Sequence, residues 1–485
     1  MALEGFSSSP ASPAWLSVAL ATCAFSLFAS ALPAQQTAPT PDNQQPGQGA
    51  QLHTGTSSGL DTDARLQNLL ADHQFLVLKS QLDKMPPEQA QFYRGILANR
   101  DNDLKTSIDL LEPLADAVTA SGNAAQEKLL RKALAEDYLR LGDWSKAAKA
   151  YQTLDTRLQG KLSKDEQDEI EMPRKLLPLA AGNQPMTVEP CDPFKLQVSR
   201  NPLGLTDIPV YVDARPHAWM LDPTAPFNLI SRKLAKEAGL KVSLVSTTIH
   251  TLTGRPIEMF VTTIPRFTIG GRLTLRNMTV FVFDDADYYF PKTKYQVEGV
   301  LGYPALAALG SLTVTSDSTI EVRPAKQILP AEKDDLLTDG APFFLDGDQV
   351  IVSLTRKRNP GDPVLPADPK AGDERMFVVD AAGQQTYLTA RYYDEHTSEF
   401  VDQKMELFSL PGAEQLPPQP AYVAETIPLT VGNTTVNLHY IQVLTQPLGN
   451  AALDDVYGVL GVDVLEQLKA YTFDYRTMRF SVKQQ

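Results

Sequence analysis

The run Leu221-Asp222-Pro223-Thr224-Ala225-Pro226-Phe227-Asn228-Leu229-Ile230-Ser231 returns later as Val379-Asp380-Ala381-Ala382-Gly383-Gln384-Gln385-Thr386-Tyr387-Leu388-Thr389. Each reads as an apolar strand that ends in Asp, turns tightly and resumes ahead of Ser or Thr. Two further pieces return in the same order. Ile264-Pro265-Arg266-Phe267-Thr268-Ile269-Gly270 corresponds to Ile427-Pro428-Leu429-Thr430-Val431-Gly432, and Gly299-Val300-Leu301-Gly302 to Gly458-Val459-Leu460-Gly461. From Asp to the first Gly of the later element the spacing is 77 residues in one copy and 78 in the other. Three ordered matches at near-equal spacing make this a tandem repeat of one β-rich unit. In each copy a helical segment is expected after the turn, at 232–239 and 390–396, and one closing strand, at 311–322 and 471–482.

Two such units facing each other would bring Asp222 and Asp380 together across a pseudo-two-fold axis. Carboxylates held close cannot both ionise, so the pair shares a proton. One can then take a proton from water while the other donates to a substrate carbonyl. That is general acid–base hydrolysis of an amide, needing no metal, no cofactor and no covalent intermediate.

From about residue 194 to the C-terminus, both units resemble retropepsin-like aspartic peptidases, in a tandem arrangement similar to the bilobal pepsin family. The resemblance implies Asp222 and Asp380 as the catalytic pair and a peptide or protein as substrate. It implies that Gly302 and Gly461, closing a hydrophobic-hydrophobic-Gly element, brace the active-site turns. It also implies a flap over 247–263 with Thr253 and Gly254 at its tip, and a Pro-rich counterpart around 411–420. The turns depart from the family's Asp-Thr-Gly or Asp-Ser-Gly. Pro223 and Ala381 lack the hydroxyl that bridges the two loops in that family, and Thr224 and Ala382 place a Cβ where the family has Gly. Gly383, one position later, suits a shifted turn. Two functional readings follow: an aspartic endopeptidase, or a catalytically inactive acid-protease fold that binds peptide or protein.

Ahead of the repeat, residues 14–34 read AWLSVALATCAFSLFASALPA without a charge, as an export signal does, with Ala29-Ser30-Ala31 as a small-x-small cleavage site. The first basic residue is Arg65, so the usual positive n-region is missing; retained, the same apolar run is a membrane anchor. Export to the periplasm or exterior is the expectation, with membrane contact only through this segment. Residues 35–61, rich in Gln, Pro, Thr, Gly and Ser, read as a disordered linker.

Residues 62–181 are helical in pattern. Leu66, Leu69, Leu70 and His73 fall at helical spacing, and Pro86-Pro87 breaks the run before a new start at Glu88. Two stretches, around Asn102-Asp103 and Gly142-Asp143-Trp144, resemble tetratricopeptide repeats: small residues, a turn, then a helix with an aromatic. Their offset of 40 residues exceeds the 34 of that family, and a loop over 117–125 takes up the difference. Such repeats offer a face for a partner or for the lobes themselves.

The expected architecture is therefore multidomain α+β. Residues 1–34 are signal or anchor and 35–61 linker. The helical repeat domain spans 62–181, and the two all-β acid-protease-like lobes span 187–330 and 340–485. A net charge of −14 over 485 residues argues against a nucleic-acid partner, which needs a basic stripe. The six histidines are scattered and no His-Glu-x-x-His pattern occurs, so no metal site is expected. Two cysteines, Cys23 and Cys191, are too few for a disulfide framework.

Overall fold

The computed structural model describes residues 57–484 except 224, 251–255, 326–338, 348, 357–373, 382, 384, 410–417 and 449–450. The export segment, most of the linker and the flap tip, Thr253 and Gly254, lie outside the described residues.

The first part is helical: α1 Ser57–Ala71, α2 Phe75–Leu82, α3 Pro87–Arg100, α4 Leu104–Leu111, α5 Ala115–Ser121, α6 Ala124–Arg140, α7 Trp144–Arg157 and α8 Lys164–Ala180. The starts are chemically marked. The side chains of Asp103, Asn123 and Asp143 each accept from the amide three residues on, and Ser163 with Glu166 forms a capping box. Pro87 sits at the first position of α3, where no amide is missed. Gly95 lets α3 and α4 cross closely, since a Cβ there would lie 2.5 Å from Leu111 Cδ2. Three details differ from the sequence reading. Helix begins at Ser57, inside the segment read as linker. The stretch read as a loop over 117–125 carries α5, which ends on left-handed Gly122. His73 leaves the helical path altogether, with φ of 55°.

The rest is β-rich. In lobe one, strand Arg215–Leu221 pairs in parallel with Gly299–Leu301, which pairs antiparallel with Leu229–Ser231. In lobe two, Glu374–Val379, Gly458–Leu460 and Tyr387–Leu388 repeat that arrangement. A long hairpin wraps each lobe, Pro256–Ile269 with Leu273–Phe283 and Gln419–Val431 with Thr434–Leu444. Each closing segment read as one strand is a hairpin instead: Ser311–Thr315 with Thr319–Arg323, and Leu468–Asp474 with Arg479–Gln484. Ser318 and Met478, both at positive φ, make those turns.

The lobes share a sheet. Ser311–Thr315 pairs antiparallel with Leu468–Asp474, and Leu312 stands opposite Phe473. At the centre Thr313 and Thr472 face each other, their hydroxyls 2.8 Å apart. These two residues are 159 apart, the offset that also separates Gly299 from Gly458. A residue opposite its own repeat equivalent marks the pseudo-two-fold axis, so the axis passes between Thr313 and Thr472. One apolar core runs through both lobes, from Val210, Trp219 and Phe267 to Phe343, Phe377 and Phe473.

The helical part does not stand apart. Its core is continuous with residues such as Phe227, Ile249, Met259, Phe344 and Val459 of the lobes. Phe75 packs on Phe344 at 4.8 Å between ring centroids. Arg100 and His73 reach Asp346 of lobe two at 2.8 and 3.2 Å. Burial alone would raise the Asp346 carboxyl, but the charges of Arg100 and His73 overcome it and hold it well below the usual range. No helix among the described residues is long and apolar enough to cross a membrane.

Candidate functional site

Both glycines of each Gly-Val-Leu-Gly element have a steric reason. A Cβ on Gly299 would lie 2.3 Å from the Trp219 ring, and one on Gly458 2.5 Å from Leu388 Cδ2. On Gly302 it would meet the Phe227 carbonyl oxygen at 2.2 Å, and on Gly461 the Gln385 carbonyl carbon at 2.8 Å. Close approach lets the parallel strands press the turns that follow Asp222 and Asp380.

The two turns share one hydrogen-bond pattern. The amide of Asp222 donates to Leu301 O at 3.1 Å, and that of Asp380 to Leu460 O at 2.9 Å. Asp222 Oδ1 accepts from the Ala225 amide at 3.2 Å, and Asp380 Oδ1 from the Gly383 amide at 2.7 Å. The donor is thus three residues after each Asp. Gly383 supplies the shifted turn in lobe two, where a Cβ would lie 2.4 Å from Asp380 Oδ2. Ala225 stands at its place in lobe one. Thr224 and Ala382 lie outside the described residues.

The brace is equally matched. The Gly302 amide donates to Asn228 Oδ1 at 3.0 Å, and the Gly461 amide to Thr386 Oγ1 at 2.8 Å. Tyr303 and Val462 then donate to Ala225 O and Gly383 O, both at 2.8 Å. In lobe two Asp463 joins in, accepting from the Thr386 hydroxyl at 2.7 Å; its counterpart in lobe one is Pro304. Pro223 and Ala381 carry no hydroxyl.

Asp222 is fully buried and Asp380 is 9% exposed. Each has a buried phenol as an electrostatic neighbour. Burial, then the charges of Asp380 and Asp454, push Tyr387 well above its ordinary value. Burial, then Tyr303 and Asp222, do the same for Tyr475. Both phenols therefore stay protonated, and Tyr475 of lobe two feels the charge of Asp222 in lobe one. Sequence reasoning missed both. Tyr387 lies inside the duplicated run, whereas Tyr475 lies past a strand end with no motif around it.

The hairpin of Thr247–His250 with Pro256–Ile269 stands where the flap was expected. Its inner face is covered: Met172 of α8 packs among Pro226, Phe227, Leu229, Ile249 and Met259. In lobe two Glu406–Phe408 pairs with the start of Gln419–Val431, and the Pro-rich stretch between them lies largely outside the described residues.

Residues 208–305 match the sequence model of a family described as aspartyl protease. No curated protein matches the chain in sequence. Among solved structures, conglutin gamma, a basic 7S globulin from lupine seeds, is similar at 11% identity and a TM-score of 0.37, over 61% of this chain and 96% of that one. The basic 7S globulin from soybean is similar at 12% identity and a TM-score of 0.36, over 61% and 95%. A retropepsin-like aspartic protease from Rickettsia conorii is similar at 19% identity and a TM-score of 0.21, over 26% and 98%. Those likenesses are slight, and it is the match over 208–305 that ties the first lobe to aspartyl proteases.

Proposed function

We propose that the two lobes form an aspartic endopeptidase-type site in which Asp222 and Asp380 act as one proton-sharing pair on a peptide or protein substrate. The observation that carries this reading is the matched turn. Both carboxylates sit after equivalent strands, with Oδ1 fixed by the amide three residues on and the same brace behind. With one carboxyl protonated and the other ionised, the ionised one takes a proton from water as the water oxygen bonds to the scissile carbonyl carbon. The protonated one gives its proton to the carbonyl oxygen. The tetrahedral diol then collapses: the C–N bond breaks, the amine leaves with a proton, and one carboxyl is left protonated again. Export through residues 14–34 belongs to the same reading.

A second reading is a peptide-binding cleft without catalysis. It is favoured by Pro223 and Ala381, which supply no hydroxyl, and by Met172 of α8 beneath the hairpin. Digestion of a peptide library across acid and neutral pH separates the two. The peptidase reading expects cleavage that both Asp222→Asn and Asp380→Asn abolish. Peptide capture without cleavage, unchanged in both variants, supports the second.

A further inference from the structure

The residue after each braced glycine differs between the lobes in one respect. Tyr303 and Val462 both hold a turn through the backbone amide, but only Tyr303 has a side chain that can hydrogen-bond. Its hydroxyl donates to Asn102 Oδ1 of the helical part at 2.9 Å. Its amide donates to Ala225 O at 2.8 Å, and the Ala225 amide donates to Asp222 Oδ1 at 3.2 Å. A path of hydrogen bonds thus runs from Asn102 through Tyr303 and Ala225 to the carboxylate.

Both ends of the Tyr303 tie are firm. Asn102 sits in the turn between α3 and α4 with left-handed backbone, φ of 57°, which Asn tolerates. Its amide donates to Asn99 O at 3.1 Å, and the buried Asn99 side chain donates to Asp137 Oδ1 at 2.8 Å and Ala133 O at 3.1 Å. Tyr475 packs edge-on against the Tyr303 ring, 6.1 Å between centroids. Burial raises the Tyr303 phenol above its ordinary value, against the charge of Arg140 and the bond to Asn102, so the donating hydroxyl keeps its proton. Lobe two is held differently, from within, by Thr386 and Asp463, and lobe one has Pro304 in place of Asp463.

We propose that Tyr303 is a positioning residue for Asp222: its hydroxyl ties the Asp222 turn to Asn102, so the helical part fixes the carboxylate of lobe one and not that of lobe two. Its part in catalysis rests on the peptidase reading; its hold on the carboxyl does not.

The test follows the Asp222 carboxyl carbon by NMR from pH 2 to 8 in the full chain carrying Asp380→Asn, so that Asp222 titrates without its proposed partner. Tyr303→Phe keeps the ring and loses the hydroxyl, and Asn102→Gly loses the acceptor without straining the left-handed backbone. Either change loosens the amide that favours ionised Asp222 and should raise its midpoint by about 0.5–1 pH unit, part of the worth of one charge-assisted bond. The double variant should shift it no further, since both changes cut the same tie. In the chain carrying Asp222→Asn, the Asp380 midpoint should stay where it is. Circular dichroism establishes that each variant is folded. If wild type cleaves peptide, both single changes should lower kcat about tenfold with KM held; wild type without cleavage sinks the peptidase reading alone, and the titration still decides the placement. An Asp222 signal unmoved in both folded variants overturns the proposal, as does an equal shift of Asp380.

Discussion

The turn after Asp222 and the turn after Asp380 reach the same hydrogen bonds with different residues. Lobe two uses Gly383, whose missing Cβ leaves room for the Asp380 carboxylate, and a Thr386–Asp463 pair behind it. Lobe one uses Ala225 and Asn228, and has Pro304 where lobe two has Asp463. What the repeat preserves is the backbone path and the two braced glycines, while the side chains that achieve it have diverged. Both carboxylates are fixed by an amide three residues on, although neither turn carries a hydroxyl residue immediately after Asp.

The sharpest way to break that symmetry is at the brace. Gly302→Ala puts a methyl into the Phe227 carbonyl oxygen at 2.2 Å, whereas Gly461→Ala meets its nearest atom at 2.8 Å. Backbone cannot yield as a side-chain tip can, so chemical denaturation should show a loss of about 3 kcal/mol or more for Gly302→Ala and about 1–2 kcal/mol for Gly461→Ala. Equal losses would mean the two braces are equally tight.

Next come the brace acceptors. Asn228→Ala and Thr386→Ala each leave a buried glycine amide unpaired, at a cost of about 1–3 kcal/mol. Thr386→Ser should retain most of the stability, since the acceptor survives, and Thr386→Val should not. A harmless Thr386→Val in the same denaturation series would remove the hydroxyl from the account.

Exchanging the donors sharpens the comparison more gently. Gly383→Ala must push the Asp380 carboxylate aside and should cost about 1–2 kcal/mol, with loss of any cleavage. Ala225→Gly keeps the amide and should cost less than about 1 kcal/mol, leaving cleavage in place. The reverse ranking in thermal melts and peptide turnover would show that lobe one is the constrained side.

The smallest effect is one of pH at the brace, where lobe two has Asp463 and lobe one has Pro304. Burial raises the Asp463 carboxyl above its ordinary value against the pull of the Thr386 hydroxyl and amide. A raised acid is neutral longer in the folded chain than in the unfolded one. Its penalty is absent below the unfolded value near 3.8 and grows as pH rises through the folded value. Asp463→Asn should flatten that decline in stability; an unchanged pH profile would show that Asp463 ionises freely.

Much of this was legible in sequence because it repeats. Duplicated strands, both Asp residues and both Gly-Val-Leu-Gly elements fell at matched spacing, and the close contacts of Gly302 and Gly461 explain why those positions stay Gly. The turn donors were half legible: Gly383 stood out, and Ala225 did not, because an alanine amide looks like any other. Contacts between distant segments left no local trace. Arg100 and His73 reach Asp346 from more than 200 residues away, and Tyr475 feels the charge of Asp222 in the other lobe. Continuous α8 also defied a local rule, since Pro173 and Pro178 lie inside it.

The proposed pairing of Asp222 with Asp380 is tested most directly by carboxyl-carbon NMR titration of wild type, Asp222→Asn and Asp380→Asn. A proton-sharing pair predicts two well-separated steps in wild type, one below and one above the ordinary Asp range, with each variant losing the split so that its surviving carboxyl titrates as a single group. Two independent titrations in wild type, each unmoved when the other Asp is replaced, would contradict the pairing.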